Sequence, residues 1–284
     1  MNPPQLITRQ ADLLALLRDW RHERHLAIDT ETDSFYAYTP RVCLIQISCG
    51  RGDVIIDALT IEDLSPLAIL LADPGIEKIL HAANNDLIGL RRDFRFTVHT
   101  VFDTAIAARL LGRRQLGLAA ILAEEFGVTS DKKLQRGDWA KRPLSADQLY
   151  YAQRDTHFLI ELRHRLHRQL VAKRLWEAAQ KRFALLERLR PKPERHPNPK
   201  SYLRLKGAED LADDSLRALK ALFAYRERLA QKANRAPFRV MTNEVLIRLA
   251  RELPRDLGSL LCIRGLPGRF RGTAAQELLR LLKG

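Results

Sequence analysis

The spacing of apolar residues changes character along this chain. Residues 11–20 predict a helix, and four apolar runs follow in quick order at 25–30, 41–48, 53–58 and 76–83. These runs are short, partly β-branched and bounded by Gly, Pro and Asp, which predicts strands. From Asn84 onward apolar residues recur three and four apart, over 103–110, 116–126 and the long stretch 145–189. That spacing predicts helices. Ser145 follows the helix-stopping Pro143 and is the expected N-cap. Asn84 and Asp103 are candidate caps for their own helices. Strands first and helices later predict an α/β or α+β core with a predominantly antiparallel first half.

Residues 191–200, PKPERHPNPK, carry four prolines and read as a linker. Beyond it, 214–232, 242–253, a short turn near 256–262 and 272–283 predict a compact helical module. The expected division is a first domain over 1–190, a linker over 191–201 and a small all-α domain over 202–284. A length of 284 residues fits one large domain or a large one with a small one. An apolar content of 46% supports a sizeable core.

Charge adds a partner to this picture. The net charge of +14 points to a polyanion, unless it only mirrors an Arg-rich proteome. Residues 1–111 carry 11 Lys and Arg against 15 Asp and Glu, a net of −4. Residues 112–190 carry 17 against 9, and residues 191–284 carry 20 against 10. The first part is suited to metal ions and the rest to phosphates. Three cysteines, Cys43, Cys49 and Cys262, with no CxxC, indicate neither a disulfide framework nor a zinc site. The segment MNPPQLITRQ lacks the apolar core of a signal peptide, and no run approaches a membrane span. The expectation is a soluble protein of a reducing compartment, the cytoplasm, with no membrane partner.

Four acids in three segments carry the candidate chemistry. Asp29 and Glu31 are two apart in LAIDTET, so a strand presents both on one face. Two carboxylates there repel unless a cation bridges them; the alternative is a solvated strand end. Asp86, in HAANNDLIGL, falls in the first turn of a helix, where an acid also complements the helix dipole. Asp155, in YYAQRDTHFL, occupies a slot in the apolar stripe of Leu149, Ala152, Leu159 and Leu162, with Tyr151 four residues earlier. It is either a core Asp paired to Arg or a metal ligand. Converging, these acids would suit two divalent ions, Mg²⁺ or Mn²⁺, about 3.5–4 Å apart at a scissile phosphate. A tyrosine, with an ordinary pKa near 10, is better suited to orient a water than to act as a full base.

The ordered set Asp29-x-Glu31, His81-Ala-Ala-x-x-Asp86 and Tyr151-x-x-x-Asp155 resembles the three motifs of the DEDDy 3′–5′ exonucleases, the ribonuclease D family in particular. The strings RVCLIQIS, FDTAIAARLLG, DWAKRPLS and QLYYAQRDTHFL support the likeness over about residues 20–170. YLRLKG and LLCIRGLPG, flanking a long helical run, resemble the HRDC module over about 202–284. The resemblance implies a ribonuclease H-like mixed sheet flanked by helices, followed by one small all-α HRDC-like domain where the longest relatives carry two. It implies metal ligation by Asp29, Glu31, Asp86 and Asp155, and a catalytic role for Tyr151. It further implies release of nucleoside 5′-monophosphates from single-stranded RNA 3′ ends, tRNA precursors among them. A DNA-directed exonuclease and a non-catalytic nucleic-acid-binding scaffold are the alternatives.

Other residues attract attention less strongly. His164 and His167 have a possible ligand spacing, but lie among Arg163, Arg165 and Arg168 and read as a solvated basic face. His81 reads as structural. GLPGRFRG at 265–272 has no preceding strand and no GK[ST], so it is not a P-loop; a helix–turn–helix hairpin touching backbone phosphate is the alternative. Arg113–Arg114, Lys132–Lys133 and Lys141–Arg142 are either phosphate contacts or simply solvated surface, the latter being the default for any single one. Phe35, Tyr36 and Tyr38 either stack on terminal bases or pack within their loop.

Overall fold

The computed structural model describes residues 1–129, 132–191 and 200–283. The predicted linker lies largely outside the described residues, as do the side chains of Lys132 and Lys133. The chain begins with β1 (Gln5–Ile7), α1 (Gln10–Trp20), β2 (His25–Thr32), β3 (Val42–Cys49), β4 (Gly52–Asp57), α2 (Leu67–Ala72) and β5 (Glu77–Leu80). It continues with α3 (Asn84–Phe94), β6 (Val101–Asp103), α4 (Thr104–Leu110), α5 (Leu118–Phe126), α6 (Ala146–His157), α7 (Leu159–Ala172) and α8 (Trp176–Leu186).

The strands form a six-stranded sheet in the order β1-β4-β3-β2-β5-β6. The pairs β2–β3 and β3–β4 are antiparallel, whereas β1–β4, β2–β5 and β5–β6 are parallel. The sheet is therefore mixed, and the expected antiparallel bias holds only for the β2–β3–β4 meander. β3 is central and almost wholly buried, because helices cover both faces. One face packs on α1, α2 and α3 through residues such as Trp20, Leu71 and Leu90. The other packs on α4, α5, α7 and α8 through Ala107, Ile121, Leu166 and Phe183. α6 joins this second face, where the Ser48 and Thr156 hydroxyls are 2.7 Å apart. Gly89 of α3 sits close to β3: a Cβ there would meet Val42 Cγ2 at 3.1 Å.

Two local expectations need correction. The stretch 145–189 is three helices, interrupted at Phe158 and again near Arg174, whose φ is +57°. Ser145 does cap α6, and with Gln148 it forms a reciprocal capping box. Asn84 does not cap α3; Ala83 holds that position without a side-chain bond. Instead the Asp103 carboxylate accepts from the amides of Ala82, at 3.3 Å, and Ala83, at 2.8 Å. The same carboxylate caps α4 by accepting from Ile106 N at 2.9 Å. One acid thereby fixes the start of two helices.

The described residues divide into two compact units, Met1–Asp33 with Arg41–Pro191, and Ser34–Pro40 with Lys192–Gly284. The second contains α9 (Asp213–Lys232), α10 (Pro237–Val240), α11 (Asn243–Glu252), α12 (Leu257–Leu261) and α13 (Thr273–Lys283). Its core gathers Leu219, Leu222, Leu246, Leu249, Leu260 and Leu278. Ser34–Pro40, which the pattern alone left within 1–190, packs in this unit. Ala236 N donates to Tyr36 O at 2.8 Å. Asn234 Oδ1 accepts from Tyr38 N and Thr39 N at 3.2 and 3.3 Å. The Arg239 guanidinium lies 3.6 Å from the Tyr36 ring centre, and Phe35 meets Phe238 edge-on. These contacts pack the loop aromatics against residues 234–239 of the helical unit, not only within their own loop.

Candidate active site

β2 carries Asp29 and Glu31 on one face, as the period of two requires. α6 crosses the same side of the sheet and brings Asp155 to them. One oxygen from each of Asp29, Glu31 and Asp155 lies within 4.8 Å of the others. Asp86 stands apart from this trio. It occupies the first turn of α3, is 8% exposed, and accepts from Thr30 N at 3.1 Å and Thr30 Oγ1 at 2.6 Å. The strand between the two acids of the first motif thus holds the acid of the second.

Electrostatics binds the four together. Burial pushes the Asp29 carboxyl well above the ordinary carboxylate range, and the charges of Asp86, Asp155 and Glu31 push it further. Glu31 is raised in the same way, by burial first and then by Asp155 and Asp86. Burial raises Asp155 to about 7, with Arg154 opposing and Asp86 adding. Asp86 rises to about 6 through burial, against the lowering effect of its bonds from Thr30. Burial and repulsion from Asp155, Glu31 and Asp29 raise the Tyr151 phenol above its usual value, so it stays protonated.

A close oxygen-only donor set with self-repelling charge fits a hard divalent cation, which would relieve the repulsion. The arrangement thereby meets the chemical requirement for Mg²⁺ or Mn²⁺ at Asp29, Glu31 and Asp155. Asp86 lies close enough to act on that charge, while its carboxylate is engaged by Thr30.

Several supporting contacts around the site join residues far apart in the sequence. Trp139, 1% exposed, packs its ring 6.0 Å from that of Tyr151. Arg142 grips the buried Asp57 carboxylate with Nε and Nη2 at 2.5 and 2.6 Å, and Nη1 donates to Trp139 O at 2.7 Å. It is a structural clamp rather than a free phosphate contact. The string DWAKRPLS made both residues visible, but nothing local revealed their partners. Arg113 is likewise paired, with Glu124 at 3.0 Å and with Glu125.

The His164–His167 face is half-buried, with Arg168 exposed, and several of its side chains are paired. His164 meets His25 edge-on, His167 meets Trp176, and Arg163 holds Glu77 with bonds of 2.6 and 3.0 Å. His81 Nδ1 lies 2.9 Å from Thr104 Oγ1, a structural role as expected. The GLPGRFRG turn precedes α13 and buries Phe270 in the second unit.

A sheet of this order, an acidic trio on β2 and the crossing helix α6, and a following helical unit define a nuclease class. Residues 4–171 match the 3′–5′ exonuclease family and residues 215–282 match the HRDC domain. The chain is 33% identical over 285 residues to ribonuclease D of Haemophilus influenzae, covering 99% of this chain and 71% of that one. It is 32% identical over 264 residues to the exosome complex component 10 homolog of Drosophila melanogaster, covering 90% of this chain but only 29% of that protein. The crystal structure of Escherichia coli RNase D, described as an exoribonuclease involved in structured RNA processing, superposes with a TM-score of 0.73 at 32% identity. That match covers 100% of this chain and 75% of the other. The chain belongs to the ribonuclease D family of 3′–5′ exonucleases, with a ribonuclease H-like domain followed by an HRDC domain.

Proposed function

We propose that this protein is a metal-dependent 3′–5′ exoribonuclease that trims single-stranded RNA 3′ ends, tRNA precursors among them, in the cytoplasm. The observation that carries this reading is the convergence of Asp29, Glu31 and Asp155 within 4.8 Å. Asp29, Glu31 and Asp155, with Asp86 behind them, would hold two divalent ions. Such ions, when bound, polarise the scissile phosphate and generate a nucleophile from water at neutral pH.

The side chains supply position. Tyr151, kept protonated by its acidic neighbours, orients the attacking water by hydrogen bonding rather than removing its proton. The water oxygen bonds to the terminal phosphorus as the bond to the penultimate 3′ oxygen breaks, one water proton being lost to solvent and that leaving oxygen taking up a proton. A nucleoside 5′-monophosphate leaves, and the shortened strand keeps a 3′ hydroxyl. Trp139 packs the Tyr151 ring from behind, and Arg142 holds the Trp139 turn. The second unit, whose stretch 191–284 contains 20 Lys and Arg against 10 Asp and Glu, contributes backbone-phosphate binding.

RNA oligomers labelled at either end, incubated with Mg²⁺ or Mn²⁺, test the reading. Shortening from the 3′ end that stops in EDTA is expected. Asp29→Ala and Asp155→Ala should each abolish turnover while RNA binding persists. Activity that survives EDTA, or either variant, would refute the metal assignment. Competition with deoxyribo-oligomers separates an RNA enzyme from a DNA enzyme, because a contact to the 2′-OH discriminates the two.

A further inference from the structure

Gln46 stands out among the buried polar groups. It is 0% exposed, and neither Oε1 nor Nε2 has a hydrogen-bond partner. Burying an amide without partners costs on the order of 1–3 kcal/mol in protein mutational data, so an apolar residue would stabilise this position better. Its neighbours on β3 show the contrast. Leu44 is apolar and fully buried, and Ser48 is bonded to Thr156.

Strand register places the amide. Gln46 pairs with Asp29 across the antiparallel β2–β3 ladder, and with Ile55 on the other side. Directly opposed residues share a face, with Cβ atoms about 4.5–5.5 Å apart. Gln46 therefore lies on the face of Asp29, beneath α6, and behind the carboxylate trio. A glutamine side chain has three rotatable bonds, so Nε2 can turn toward a carboxylate on the directly opposed Asp29. Its two amide protons can each serve an acceptor.

We propose that Gln46 is a positioning residue for Asp29: its amide holds one carboxylate oxygen so that the other faces a bound divalent ion. The inference rests on the proposed metal site. Outer partners of a ligating carboxylate usually set metal affinity by about 10–100-fold. In this role the unpaired amide is a poised donor whose cost is recovered on metal binding.

The test uses the full chain and measures Mn²⁺ binding directly, from the loss of the free-ion paramagnetic resonance signal, in wild type, Gln46→Met and Asp29→Asn. Gln46→Met keeps length and volume while removing both polar atoms. The expected result is a metal-free Gln46→Met at least as stable as wild type, yet with Mn²⁺ affinity lower by about 10–100-fold. The kcat for RNA should fall at unchanged KM. Mn²⁺ affinity within twofold of wild type would overturn the role of Gln46 and leave the metal site standing. Wild-type binding that Asp29→Asn does not weaken would overturn both.

Discussion

Thr30 donates twice to Asp86, through its amide at 3.1 Å and its hydroxyl at 2.6 Å, across a sequence separation of 56. The two bonds pin the first turn of α3 to the strand that carries Asp29 and Glu31. Thr30→Val keeps the β-branched shape and the amide bond but removes the hydroxyl. Unfolding in urea should show a loss of about 1–3 kcal/mol, the cost of leaving a buried acceptor short of a partner. Thr30→Ser should recover most of it. If Thr30→Val unfolds with wild type, the hydroxyl contributes nothing.

The raised Asp155 carboxyl gives the metal-free protein a pH signature. The folded state keeps this proton up to about 7, whereas the ordinary value is 3.8. Between those values the folded chain binds more protons than the unfolded one, so stability falls as pH rises through that window. Asp86, raised to about 6, acts with the same sign. The wild-type Tm without metal should therefore drop more between about pH 5 and pH 8 than that of Asp155→Asn. Adding Mg²⁺ at the upper pH should restore wild type and leave the variant little changed. Equal pH slopes would contradict the assigned environment.

Arg142 neutralises an Asp57 side chain that is 2% exposed. Arg142→Ala would strand that charge, at a cost of about 3–5 kcal/mol in urea or guanidinium unfolding. Arg142→Lys keeps the charge but loses the two-pronged grip and should fall between. A loss under 1 kcal/mol for the alanine variant, by the same measure, would mean that Asp57 finds another partner.

Removing one oxygen isolates the proposed work of Tyr151. Tyr151→Phe retains the ring against Trp139, so its unfolding free energy should stay within about 1 kcal/mol of wild type. Single-turnover hydrolysis should slow by about 10²-fold or more with RNA affinity unchanged. Unchanged turnover would remove the hydroxyl from the mechanism.

What was legible in the sequence follows the range of the forces involved. Asp29 and Glu31 share a face because strand geometry is local, and Asp155 shows itself by interrupting an apolar stripe. The ties that aim these acids are long-range. Nothing near Asp86 announces Thr30, and nothing near Trp139 announces Arg142 bound to Asp57. β1 and β6, each three residues long, are too short to show a period of two. The breaks at Phe158 and Arg174 were hidden because apolar spacing continues across them, while the backbone does not. Gln46 looked like one polar residue within RVCLIQIS; only the register sets it against Asp29.

The loop Ser34–Pro40 has an evolutionary consequence. The second unit includes a stretch encoded between β2 and β3. Gene fusion at the Pro-rich segment could append such a module, but could not by itself supply a fitting loop. Asn234 and Arg239 bind Tyr36, Tyr38 and Thr39 directly, so a replacement module would need to supply equivalents of both. A C-terminal module exchanged without this loop would lose those contacts, and one exchanged together with it would keep them.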